Sequence, residues 1–285
     1  MEAAIAPRAW WAHGSDGYRL AVQSWPAVGS SRGDLVILHG VQSHAGWYHG
    51  LGRRLAAAGY VAHFPDRRGS GANTQARGHA PSAGRLVEDV IDVIAETRTG
   101  DGPLILCGIS WGGKLATATA ARAPERVDGV ALICPGLHAR VGVRLREKAG
   151  VAAAILTGRA ARRAFPIPLA DPALFTDDTE ARRFIAGDPL SLRAGTAGLM
   201  YASRVLDRMV DRARSAVRCP ALLMLAGRDR IVNNARTRAY FESMASARKV
   251  VIEYPEAHHT LDFEPEPDRY ARDLAAWVRA EFGAR

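Results

Sequence analysis

Six short runs in this chain are apolar almost from end to end: DLVILHG, YVAHFPD, PLILCGIS, VDGVALICPG, PALLMLAG and KVVIEYPE. A strand with one face in water alternates apolar and polar residues, whereas a strand covered on both faces does not. Such runs belong in the middle of a parallel sheet with helices on either side. The intervening segments supply those helices. Over residues 85–98, Leu86, Val87, Val90, Val93 and Ile94 share one helical face, and Tyr270, Leu274, Trp277 and Val278 do the same near the end. Strands alternating with amphipathic helices predict an α/β fold with a doubly wound, mostly parallel sheet, preceded by an extended segment over Tyr18 to Trp25. With 285 residues, 48% of them hydrophobic, the chain has enough apolar material for one such core.

The alternation stops between about Leu137 and Val217. There VGVRLREKAGVAAAIL and LRAGTAGLMYASRVLDRMV carry helical patterns, joined by FPIPLADPALFTDDTEARRFIAGDP, with no clear strand between them. The expected organisation is a core in two parts, residues 1–136 and 218–285, with a helical cap inserted at 137–217. In the cap, Leu199, Met200, Val205, Leu206, Met209 and Val210 recur at helical spacing. Such a stripe either packs cap on core or lines an apolar acyl pocket, and packing is the commoner use.

One run ends in CGISWGGK and is followed by LATATAARA, which reads as a helix. Gly108-Ile109-Ser110-Trp111-Gly112 fits G-x-S-x-G, in which a strand turns sharply into a helix and holds a serine exposed at the apex. A side chain at either glycine would collide across so tight a turn. The pentapeptide also suits a plain Gly-rich turn with a capping serine, but the strand before it and the helix after it favour a nucleophile.

A serine hydroxyl attacks only when a base takes its proton and an acid orients that base. In a parallel sheet the loops at the carboxyl ends of the strands share one edge. Asp229, in Arg228-Asp229-Arg230-Ile231-Val232, follows ALLMLAG, and His259, in Pro255-Glu256-Ala257-His258-His259-Thr260-Leu261, follows VVIEY. This places acid and base in the chain order Ser, Asp, His. Alone, a loop aspartate is usually a turn residue and a loop histidine usually solvated, so the assignment rests on joint order and placement. His258 competes for the base; His259 is preferred because the x-His-x-Leu arrangement anchors the loop just beyond the imidazole. A metal site at the two histidines would lack a third ligand at recognisable spacing.

An oxyanion formed at this serine needs two preorganised N–H donors. Trp111 offers the first, at the start of the following helix. Val41 offers the second, in the loop His39-Gly40-Val41-Gln42-Ser43-His44, where Gly40 lets the backbone come close. His44 either orders that loop or lies on the surface.

These motifs are similar to those of the α/β-hydrolase superfamily, and within it the chain resembles the monoacylglycerol lipase and lysophospholipase group. HGVQSHAGWY resembles the group's HG-x-x-x-H-x-x-x-Y loop and PDRRGSG its D-x-RG-x-G segment, alongside GISWGG, GRDRIV and EAHHTLDFE. The resemblance implies an α/β-hydrolase fold and a catalytic triad of Ser110, Asp229 and His259. It further implies hydrolysis of a lipid-like or small hydrophobic ester through an acyl-enzyme, with neither a metal nor an organic cofactor. Ile109 and Trp111 depart from the group, which carries histidine and methionine there, and Asp229 follows its glycine by two residues instead of three. The S-W-G variant is similar to proline iminopeptidases, which keeps an aminopeptidase or amidase open. Asp177, Asp178 and Glu180 are then candidates to hold a substrate ammonium, or a solvated helix start. A third reading is a non-catalytic binding protein of the same fold.

The net charge of +9 is concentrated in the cap. Residues 138–163 carry Arg140, Arg144, Arg146, Lys148, Arg159, Arg162 and Arg163 against Glu147, interleaved with Val141, Val143, Leu145, Val151, Ile155 and Leu156. This segment reads either as a solvated Arg-rich face or as a basic amphipathic helix suited to an anionic membrane surface. No nucleic-acid-binding motif accompanies it. Cys107, Cys134 and Cys219 form no CxxC pair and are expected as free thiols in a reducing compartment. The first twenty residues contain an early glutamate and lack the apolar core of a signal peptide, and no run reaches the roughly eighteen apolar residues that span a bilayer. A cytoplasmic protein is expected.

Overall fold

A computed structural model describes residues 6–98 and 100–283. The first five residues of the segment read above for a signal peptide, and the ends of both core segments, lie outside the described residues. The chain opens with β1 (Arg8–His13) and β2 (Arg19–Trp25), then β3 (Asp34–Leu38), α1 (His49–Ala57), β4 (Val61–Pro65), α2 (Ala83–Thr97), β5 (Leu104–Ile109), α3 (Trp111–Arg122) and β6 (Gly129–Ile133). After β6 come α4 (Leu145–Leu156), β7 (Ala164–Pro166), α5 (Thr179–Gly187), β8 (Ala194–Thr196) and α6 (Ala197–Ala213). β9 (Ala221–Ala226), α7 (Asn234–Glu242), β10 (Lys249–Tyr254) and α8 (Pro267–Phe282) complete the chain.

Each of the six apolar runs is a strand of one sheet, whose order is β1-β2-β4-β3-β5-β6-β9-β10. From β4 to β10 all pairings are parallel, and β2 and β1 extend the sheet in antiparallel register. The α/β-hydrolase expectation is met. β3, β5, β6 and β9 are buried at every residue, as strands covered on both faces must be. The order reverses at β3, whose successors lie on opposite sides of it. Right-handed crossovers then put α1 on one face and α2 and α3 on the other. α1 packs with α8, and α2 with α3. The predicted apolar stripes of α2 and α8 are buried in this arrangement.

Two features differ from the sequence reading. β1 was not anticipated, because at this sheet edge only Ala12 of its six residues is buried and its apolar stretch, Ala9 to Ala12, is only four residues long. The segment between β6 and β9 is not purely helical, since β7 and β8 form a two-stranded antiparallel ribbon. Three residues each, one of them Pro166, are too short to display a period.

The stripe on α6 faces the core. Leu199, Leu206 and Val210 are buried and α6 packs against α3, while Met200, Val205 and Met209 are half-buried. Cap-on-core packing therefore accounts for the first three. A smaller apolar cluster of Ala154, Phe165 and Ala197 joins α4 to the ribbon and to α6.

Candidate active site

The reversal between β3 and β5 opens a crevice at the carboxyl ends of the strands, and the predicted residues gather there. Ser110 links β5 to α3 with φ 53° and ψ −123°, a conformation that costs a non-glycine residue about 1–3 kcal/mol. Three backbone bonds hold it: Ser110 N–H donates to Ile133 C=O (3.0 Å), and its carbonyl accepts from Gly113 (2.9 Å) and Gly136 (2.7 Å). The flanking glycines are sterically required. A Cβ on Gly108 would lie 2.6 Å from the Gly112 carbonyl oxygen, and one on Gly112 would lie 2.1 Å from that of Leu38.

His259 follows β10 and Asp229 follows β9, and both side chains are buried beside Ser110. His259 Nε2 lies 2.8 Å from Ser110 Oγ, and His259 Nδ1 lies 2.7 Å from Asp229 Oδ2. The other carboxylate oxygen, Oδ1, accepts the N–H groups of Ile231 (2.7 Å) and Val232 (2.8 Å), which fixes its plane. An ionised carboxylate accepts from Nδ1–H, leaving Nε2 to accept the serine proton. The Phe175 ring, from the segment before α5, packs in a T-shaped arrangement with the His259 imidazole, their centroids 6.0 Å apart, and Thr260 N–H donates to Phe175 C=O (3.0 Å).

The adjacent histidines point to different partners. His258 sits between Asp177 (2.9 Å) and Glu264 (3.2 Å) and takes no part in the hydrogen bonds to Ser110.

The loop after β3 lies against the serine: a Cβ on Gly40 would be 3.3 Å from Ser110 Cβ and 3.6 Å from Oγ. Trp111 begins α3, where a backbone N–H has no partner within its own helix. Its indole N–H donates to Ser203 Oγ on α6 at 2.9 Å. His44 is buried and orders the loop: its Nδ1 accepts from Gly46 N–H (3.1 Å), so its Nε2 donates to Asp188 (3.0 Å). The same Asp188 oxygen accepts from the Trp47 indole (2.7 Å) and the Ser191 hydroxyl (2.8 Å).

The residues Asp188 and Phe175, which tie the cap segment to the crevice, were not anticipated. Neither carries a local pattern, since each acquires its role only when a distant loop is brought to it. Arg67 is a third such residue; it was seen as part of PDRRGSG without a function of its own.

A family model described as "Serine aminopeptidase, S33" matches residues 29–266. The chain is 28% identical to a monoacylglycerol lipase of Mycolicibacterium smegmatis, over 93% of this chain and 94% of that protein. It is 26% identical to the human monoglyceride lipase, over 93% of this chain and 88% of the other. Among solved structures, a soluble variant of the Saccharomyces cerevisiae monoglyceride lipase superposes with a TM-score of 0.83 at 19% identity, covering 97% of this chain and 96% of that one. The Paleococcus ferrophilus monoacylglycerol lipase gives 0.80 at 24% identity, covering 92% and 99%. With the sheet order, the crevice and a family match across most of its length, the chain belongs to the serine aminopeptidase S33 family of α/β hydrolases and resembles the monoacylglycerol lipases.

Proposed function

We propose that this chain is a serine hydrolase that cleaves lipid-like or small hydrophobic carboxylic esters, monoacylglycerols and lysophospholipids among them, with Ser110, His259 and Asp229 as its catalytic triad. The observation that carries the reading is the continuous path from Ser110 Oγ through His259 to Asp229, at 2.8 and 2.7 Å. Ser110 Oγ attacks the ester carbonyl carbon while His259 Nε2 takes its proton. Asp229 holds the imidazole tautomer and stabilises the imidazolium. The tetrahedral oxyanion accepts from the backbone N–H groups of Val41 and Trp111, each worth a few kcal/mol of barrier. Collapse breaks the bond to the alcohol, which leaves with the proton from His259. Water, deprotonated by His259, then attacks the acyl-serine and releases the acid. The names of the related lipases support an ester of this kind.

The aminopeptidase reading, to which the family's description points, needs a free carboxylate near the crevice for a substrate ammonium. Asp177 is instead paired with Arg230 (2.9 Å), Arg182 and His258, and Asp178 caps α5 by accepting from Ala181 N–H at 2.7 Å. Glu180, the third candidate, is exposed in the first turn of α5, and the commitments of Asp177 and Asp178 favour esters. We further place the protein in the cytoplasm, supported by three free cysteines of which Cys107 and Cys134 are buried, and on anionic membrane surfaces through α4. Leu145 and Leu156 at the ends of α4 are 82% and 87% exposed, with exposed Arg144, Arg146, Lys148, Arg159 and Arg162 around them. Among the described residues no helix is long and apolar enough to cross a membrane.

The test pairs p-nitrophenyl esters of graded chain length with aminoacyl anilides, followed by intact-mass analysis after a fluorophosphonate. Ester turnover favouring medium chains, with labelling lost in Ser110→Ala, is expected. Faster anilide turnover overturns the ester assignment, and no labelling of the wild type supports a non-catalytic binding protein of this fold.

A further inference from the structure

Arg67 lies in the turn after β4, next to Asp66, and its side chain runs beneath the loop that follows β3. Its Nη1 donates to the carbonyl of Gly40 (3.3 Å) and its Nη2 to that of Val41 (3.0 Å). The guanidinium carbon stands 4.9 Å from the centroid of the Trp111 ring. One buried cation therefore touches the backbone of one segment proposed to bind the oxyanion and the side chain of the other.

A buried charge is costly, and this one is held against carbonyl dipoles and an indole face. Burial pushes the guanidinium down to about 10, with the Asp66 carboxylate opposing the shift. It remains a cation at neutral pH. The Gly40 carbonyl has a second donor. His39 Nε2 accepts from Arg67 N–H (2.9 Å), so the proton resides on Nδ1, which donates to that same carbonyl at 2.7 Å. Burial, with the Arg67 charge beside it, holds His39 well below the usual imidazole range, and it stays neutral in this tautomer.

In a trans peptide the C=O and the following N–H point in opposite directions. Turning the Gly40 carbonyl toward Arg67 and His39 aims the Val41 N–H to the other side, and pinning the Val41 carbonyl stops the next peptide from rotating. Stacking on the indole braces the same guanidinium against the side chain of the first residue of α3.

Resting on the serine-hydrolase reading, we propose that Arg67 is a positioning residue for the oxyanion site, clamping the Gly40–Val41 backbone in the orientation that receives the tetrahedral intermediate and bracing that loop against the Trp111 indole. The donors act on the transition state, so loosening them lowers kcat and leaves KM near its wild-type value.

The experiment compares wild type, Arg67→Met, Arg67→Gln and Arg67→Lys on a medium-chain p-nitrophenyl ester, with inhibition by an alkylboronic acid, whose serine adduct is tetrahedral and anionic. Thermal unfolding and circular dichroism report the fold. In Arg67→Met, kcat is expected to fall roughly 10²-fold, the scale of a small misplacement of catalytic groups, and boronate affinity to fall in parallel while KM holds. Arg67→Gln keeps one amide donor and should fall between. Lysine carries the charge but lacks the fork that holds two carbonyls, and it should recover only part of the loss. A folded Met or Gln variant with wild-type kcat and boronate affinity overturns the proposal, as does a change confined to KM. If neither neutral variant folds while Arg67→Lys is folded and fully active, the clamp is also overturned, because only charge or bulk is then needed. A wild-type protein inert toward both ester and boronate overturns the hydrolase reading and the role of Arg67 with it.

Discussion

At the scale of single residues, chemistry and stability draw on different groups in the same loop. In the proposed mechanism Ser110 provides the bond-forming oxygen, and it adds little to packing, so Ser110→Ala should abolish ester turnover and leave thermal unfolding close to wild type. His259→Ala should be nearly as damaging, and Asp229→Asn should lose about 10⁴-fold in kcat through the wrong imidazole tautomer. His258, turned toward Asp177 and Glu264, should tolerate alanine with most of kcat intact; the reverse result for the two histidines would reassign the base. Three residues beyond His259, Asp262 accepts from the Tyr270 hydroxyl, and burial pushes its carboxyl up to about 6. The unfolded chain ionises this group near 4. Between roughly pH 4 and 6 the folded protein therefore holds a proton that the unfolded chain has lost, and stability falls as pH rises through that window. Above it the full penalty is present, on the order of 2–3 kcal/mol. Asp262→Asn still accepts from Tyr270 but cannot ionise, so urea unfolding should find it more stable than wild type at pH 8 and no better at pH 4. An advantage independent of pH would place the effect in packing.

At the scale of elements, what could be read from the sequence is what short-range physics writes there. β3, β5, β6 and β9 are covered on both faces, so their identity is contained in five or six consecutive residues, and the Ser110 elbow is legible because two glycines and a serine must occur at fixed spacing. Val41 and Trp111 are proposed as oxyanion donors on the same kind of signal, each sitting next to a recognisable turn. β1 shows one buried residue in six, and the β7–β8 ribbon is three residues wide, so neither has a period to detect. Arg67, Phe175 and Asp188 depend on partners far away in the sequence. α4 was legible as a composition, and the structure adds that Ala154 is its one buried residue and that Leu145 and Leu156 stand in solvent. A helix anchored so lightly can meet a lipid surface without disturbing the core. Each basic residue near an anionic surface contributes about 1 kcal/mol before screening. Sedimentation should show binding to anionic liposomes, none to neutral ones, and loss of binding at about 0.5 M salt. Changing Arg159, Arg162 and Arg163 to Gln should weaken it, and Leu145→Ser with Leu156→Ser should do so even at low salt. Binding indifferent to salt and to all five changes would sink the membrane reading.

At the scale of the whole molecule, the crevice is assembled from the sheet edge on one side and the segment between β6 and β9 on the other, and the Asp188 carboxylate gathers several of the bonds that join the two. Asp188 receives His44 and Trp47 from the loop after β3, Ser191 and Leu190 from its own segment, and all four bonds lie between 2.7 and 3.0 Å. Leu192 N–H adds a bond to the Gln42 carbonyl at 2.8 Å, in the same loop that carries Val41. The loop that carries the proposed oxyanion donor Val41 is thus held by Arg67 and by Asp188, while the central strands and the body of α3 beyond Trp111 rest on apolar packing. Hydrogen bonds to a buried carboxylate are worth roughly 1.5–3 kcal/mol each, and removing the acceptor leaves buried donors unpaired. Asp188→Ala should therefore loosen a local unit and not the core. Hydrogen exchange is the measurement that separates these: residues 39–48 and 164–196 should lose protection, α3 and β5 should keep theirs, and kcat should fall with the loosened oxyanion loop. Uniform loss of protection across β3, β5 and β6 would show that Asp188 supports the core instead. Unchanged protection at 39–48 would show that the loop holds its shape without the cap.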